Sequence, residues 1–64
     1  MKPLSEILDT IEIGDAVRVT TAHGHSYYGT VYRIHPRTMS VIEYDYGMTR
    51  KHTVYPAELV EVVS

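Results

Sequence analysis

The chain has 64 residues and a formal net charge of −2, with six lysines and arginines against eight acids, four histidines and no cysteine. At that length one domain is expected, and it buries only about 60% of its unfolded surface, so the core is marginal without help. Zero cysteines exclude disulfides and thiolate metal sites, which leaves self-association as the expected helper. No run approaches the roughly eighteen apolar residues of a membrane span, so a cytoplasmic protein with no membrane partner is expected.

Pro3 to Ile11 places apolar residues at Leu4, Ile7, Leu8 and Ile11, the i, i+3, i+4, i+7 spacing of an amphipathic helix, and a helix is expected within residues 1–12. Gly14-Asp15 ends it, and Val17-Arg18-Val19-Thr20 alternates as a half-buried strand does. A turn at Ala22 to Ser26 leads into a strand from Tyr27 to Ile34, in which Gly29 predicts a bulge or sharp bend. His35-Pro36-Arg37-Thr38 forms the next turn, because Pro36 disfavours helix at His35 and cannot donate to a ladder. The third strand runs from Met39 to Tyr46, with a phase shift between Val41 and Ile42 as if both faces were covered. Asp45-Tyr46-Gly47 turns the chain back into a fourth strand, Thr49 to Tyr55. Pro56-Ala57-Glu58 forms a tight turn before a last strand, Leu59 to Val63. Five short strands joined by Gly and Pro turns predict a small, mainly β barrel over residues 16–63 behind an N-terminal α-helix.

Charge is unevenly distributed. No acid occurs between Asp15 and Glu43, whereas Arg18, Arg33 and Arg37 do, and Arg50-Lys51-His52 follows as a second basic cluster. Residues 1–15 carry four acids and one lysine, so one surface is expected to be basic and another acidic, unless these are ordinary solvated strands. On a strand, Arg50 and His52 share one face and Lys51 the other. The cluster reads either as a charged edge that discourages aggregation or, repeated around an oligomer, as an electropositive annulus for a phosphate chain.

Six tyrosines are the only aromatic residues of the Phe, Trp and Tyr set. They replace Phe and Trp in the core and at subunit contacts, or they stack on unpaired bases; Tyr28 and Tyr46, beside turns, are the candidates for stacking. His23-Gly24-His25 offers two imidazoles but no nearby acid, so a turn rather than a metal site is expected. Glu43 and Asp45 share a strand face, but no catalytic ordering, phosphate loop or cofactor fingerprint is present, so neither enzyme activity nor a cofactor is expected.

Taken in order, these segments resemble the Sm-like family, which includes the Sm proteins and bacterial Hfq. The resemblance covers nearly the whole chain. A Pro3-Leu4-x-x-x-Leu8 helix precedes the first strand, and Val17-Arg18-Val19 through Gly24-His25-Ser26-Tyr27-Tyr28-Gly29-Thr30-Val31 is similar to the first Sm motif. Met48-Thr49-Arg50-Lys51-His52-Thr53-Val54 is similar to the Hfq form of the second motif, with its Lys-His pair. The resemblance implies an SH3/Sm-like barrel that assembles into a homo-oligomeric ring of roughly five to seven subunits by pairing the fourth strand of one copy with the fifth of the next. It also implies single-stranded RNA as partner, with Lys51 and His52 as contacts and Arg50, His35 and Arg37 as neighbours. His35 and Met39 stand where the family has Asp and Asn, and Pro56-Ala57 where it has Arg-Gly. These differences keep open a non-catalytic protein-interaction or structural oligomer. A fainter similarity to type II dihydrofolate reductases rests on Gly14-Asp15-x-Val17-Arg18, Gly24-x4-Gly29 and Val54-Tyr55-Pro56. Thr53, however, occupies that family's glutamine position.

Overall fold

The computed structural model describes residues 1–63. Strand β1 (Lys2–Pro3) leads into helix α1 (Leu4–Ile7) and a 3₁₀ turn (Leu8–Thr10). Strands β2 (Ala16–Thr20), β3 (Ser26–Ile34), β4 (Met39–Asp45), β5 (Met48–Val54) and β6 (Leu59–Val62) follow. All six strands lie in one open antiparallel sheet in the order β1-β6-β2-β3-β4-β5. The expected mainly β architecture with one short N-terminal helix is therefore observed, and β1 is an unanticipated sixth strand.

The helix expected within residues 1–12 is cut short on both sides. Lys2 and Pro3 are extended and pair with Val60 and Leu59 of β6. Beyond Ile7, whose φ of −125° leaves the helical region, the Thr10 hydroxyl donates to the Ile7 carbonyl at 2.7 Å, a local bond that competes with continuing the helix. The apolar spacing nevertheless points the right way: Leu4 and Ile11 are buried, and Ile7 and Leu8 pack against the same cluster.

The core consists of Leu4, Ile11, Met39 and the valines at 17, 19, 31, 41, 54 and 60. The valines and Met39 come from every long strand at alternate positions, as a sheet with one buried face requires. A four-residue helix is too small to cover that face. The sheet must therefore bend over its own core, which is the logic of a small barrel. Gly29 marks the bend. It lies opposite Val17 in β3, and a Cβ there would collide with a methyl of buried Val41 and sit 2.8 Å from the Ile42 carbonyl oxygen. A register shift between Val31 and Arg33 adds a bulge further along β3.

No tyrosine is fully buried, and of the six only half-buried Tyr27 packs against the core, so the core role considered for them is met by Tyr27 alone; valine fills most of the interior. Valine packs on a pleated surface at low rotamer cost, and a core this thin has little room for phenol rings. In β4, Met39 and Val41 are buried while Ile42 is half-buried, so the suspected phase shift reduces to ordinary alternation with a partly covered outer face. The β4–β5 hairpin closes through Tyr46 (φ 49°) and Gly47 (φ 77°), two left-handed residues as in a type I′ turn.

Candidate nucleic-acid interface

β5 pairs with β4 so that Val41 faces His52, Ile42 faces Lys51 and Glu43 faces Arg50. His52 and Arg50 thus share the inner face with Glu43, and Lys51 points outward, as strand alternation requires. β3 pairs with β2 so that Tyr27 faces Val19, on that same inner face. Bending of the sheet brings Tyr27, which packs against the core, and His52 together. Their rings stack at a centroid distance of 4.1 Å and an interplanar angle of 22°.

The His52 imidazole is fixed a second time. Its Nε2 lies 3.0 Å from Glu43 Oε1, a diagonal contact across the hairpin. An ionised carboxylate only accepts, so Nε2 is the donor and a neutral ring keeps Nδ1 as its remaining acceptor. Burial pushes the Tyr27 phenol up to about 12, and the nearby carboxylates of Glu58 and Glu43 push the same way. The phenol is therefore a hydrogen-bond donor across the physiological range. Lys51 Nζ stands 5.9 Å from the centre of the Tyr32 ring, within cation–π range, on the other face of the same strand.

Around the stack lies an open cleft of about 790 Å³. Its walls are the β2–β3 turn, with His23 and His25, the end of β5, with Lys51, His52 and Thr53, and the following turn, with Tyr55 and Glu58. Gly24, at φ 84°, lets the first of these turns close, and Thr21 N–H donates to the His25 carbonyl at 2.8 Å. Glu58 Oε1 accepts from the Tyr55 N–H at 2.8 Å, so both carboxylates near the cleft are engaged by local donors. The cleft therefore presents aromatic and imidazole rings and hydrogen-bonding edges on one concave surface, with Lys51 at its rim and its ammonium over Tyr32 on the outer face.

The seven residues singled out from the sequence do not form one site. Lys51 and His52 line this cleft, and Arg50 is exposed beside them on β5. His35 and Arg37 line a second cleft of about 780 Å³, whose opposite wall is Ser5, Glu6, Leu8 and Asp9. Two acids facing the basic turn make that cleft a poorer seat for a phosphate chain. Tyr28 is exposed on the outer face opposite Arg18 in the β2–β3 register. Tyr46 is fully exposed at the hairpin tip, flanked by exposed Tyr44 and Met48. Tyr27 and Tyr55, which line the cleft, and Glu43, which holds His52 in place, are residues that sequence reasoning misses, and it offers His23 and His25 only as metal ligands. Alternation could have placed Tyr27 inward with Val19; its meeting with His52 depends on the bend.

Among the described residues, no three His, Asp or Glu side chains are grouped so that they could hold a metal ion, and no helix is long and apolar enough to cross a membrane. No protein-family model, curated protein or solved structure matches the chain.

Proposed function

We propose that this chain binds single-stranded RNA as a homo-oligomer, with the cleft around Tyr27 and His52 as its RNA-binding surface. The observation that carries this reading is the Tyr27–His52 stack, clamped by Glu43 and flanked by Lys51. A rigid pair of rings offers unpaired bases a stacking surface, worth about 1–3 kcal/mol per base in such sites. The lysine supplies a charge for a phosphate, and His23 and His25 add polar ring edges across the cleft. The Sm-like resemblance supports the same choice, since the matching Lys-His pair is Lys51-His52.

Oligomerisation completes the reading. A 64-residue chain with nine buried apolar residues gains burial by pairing strand edges, and repeating one cleft around a closed assembly multiplies weak interactions with a single RNA strand. One observation favours a second reading, a protein-interaction module: Tyr44, Tyr46 and Met48 form an exposed apolar hairpin tip.

Fluorescence anisotropy with labelled oligo-U and oligo-A at low and moderate salt tests the proposal. RNA binding should weaken with salt, and Lys51→Ala should reduce the slope of log K against log salt by about 0.7 for each phosphate that the lysine neutralises. His52→Ala should weaken binding on the order of tenfold by removing half of the stacking surface. Absence of binding to either oligomer, with a protein complex captured through the hairpin tip, would move the assignment to the second reading.

A further inference from the structure

The two edges of the sheet are not equivalent. Among the described residues, β5 has no strand on its outer side, whereas β6 is flanked by β2 on one side and β1 on the other. The N-terminal segment lies along that outer side as a continuous zipper. Ser5 N–H donates to the Pro56 carbonyl at 3.0 Å and Leu4 N–H to the Glu58 carbonyl at 2.9 Å, while Pro3 pairs with Leu59 and Lys2 with Val60.

We infer that Lys2–Pro3 is a displaceable cap on a self-association edge, occupying the part of β6 that a second copy's β5 takes in the assembled protein. This inference rests on the oligomer reading above. The cap is weak by construction: it is two residues long, and Pro3 has no N–H to donate. It also has a natural hinge, because Leu4 is fully buried and anchors α1, so only the residues before it are free to peel away.

Charge selects the occupant. The β5 edge carries Arg50 and Lys51 and no acid, while β6 and the turn before it carry Glu58 and Glu61. Glu58 bonds the Tyr55 amide beside the cleft, and Glu61 holds Arg18 of β2 at 3.6 Å. Two β5 strands facing each other would oppose like charges, whereas β5 against β6 opposes unlike ones. Apolar side chains left exposed at both edges fit the same pairing: Leu59, Val62 and Val63 along β6, Met48 and Tyr55 at the ends of β5. An unprotected edge of this kind is an aggregation hazard, and a short cap of the chain's own residues is one way to manage it.

The chain has no cysteine, so one engineered disulfide can lock the cap reversibly. Pro3→Cys with Leu59→Cys joins directly opposed positions of the β1–β6 pair, whose cross-strand spacing suits a disulfide. Solution mass by light scattering is read for the oxidised and reduced forms, and for a chain with Lys2 and Pro3 deleted so that Met1 precedes Leu4. The cap predicts that the oxidised form stays at the 7.3 kDa monomer mass, while the reduced form and the deletion variant reach a mass several-fold larger. Assembly of the oxidised form as readily as the reduced one overturns the cap and leaves the oligomer standing. A deletion variant and a wild-type chain that both remain monomeric at high concentration overturn the oligomer itself, and the cap with it. The deletion keeps the test valid if the cysteine pair fails to close.

Discussion

Replacing Gly29 by alanine tests the bend on which the cleft depends. The added Cβ would overlap a methyl of Val41 and stand 2.8 Å from the Ile42 carbonyl oxygen and 3.3 Å from its carbon. Val41 is fully buried and cannot swing aside, and the Ile42 atoms are backbone, so relief requires β3 and β4 to move apart. Overpacking of this kind costs about 1–3 kcal/mol. Alanine recovers about 0.4–1 kcal/mol by restricting the unfolded chain, where the native backbone suits it. The net expectation is a loss of about 1–2 kcal/mol, and at roughly 4–8 °C per kcal/mol for a domain this small, a Tm lower by about 5–15 °C. Far-UV circular dichroism melts at matched protein concentration give the answer, matching being needed because assembly makes Tm concentration-dependent. An unchanged or raised Tm for Gly29→Ala would refute the close approach of β3 to β4, and with it the geometry that brings Tyr27 to His52.

Leu4→Ala, which empties a fully buried position under the helix, is expected to cost about 2–5 kcal/mol in urea unfolding. Tyr46→Asn places a residue tolerant of the left-handed region in the hairpin turn, and should stabilise the fold by about 1 kcal/mol or less, read as a higher urea midpoint. For Tyr27, folding raises the phenol from 10.0 to about 12, so between those values the folded chain keeps a proton that the unfolded chain releases. Its contribution to stability is thus complete below pH 10 and lost as pH rises toward 12, softened by solvent screening because the ring is only half-buried. Tyr27→Phe should remove both that alkaline loss and a phenolate absorbance component near pH 12.

Much of this architecture is legible in local pattern. Val17, Val19, Met39, Val41, Val54 and Val60 sit at alternate positions, and Pro36, Gly24 and Gly47 punctuate the strands, so five strands and their turns follow from period and breakers. Leu4 and Ile11 announce a buried stripe, but not the change from helix to 3₁₀ turn, which depends on a threonine hydroxyl competing for a carbonyl. β1 is not legible because a lysine and a proline carry no strand signal; only the waiting edge of β6 makes them one. The cleft divides the same way. Lys51 and His52 are marked by their own chemistry, and alternation puts them on opposite faces correctly. Tyr27 and Glu43 join His52 through a cross-strand diagonal and a sheet bend, relations between distant segments that no local spacing encodes.

The central claim is that single-stranded RNA occupies the Tyr27–His52 cleft, and the four histidines provide a built-in map of it. His23, His25 and His52 line the cleft, while His35 lines the other one. NMR of the histidine and tyrosine ring signals during titration with a short unlabelled oligoribonucleotide reads each ring separately. Saturable shifts of His23, His25, His52, Tyr27 and Tyr55 together, with His35 and Tyr46 unmoved, are the predicted result; shifts confined to His35, Tyr28 or Tyr46, or none at all, would contradict it.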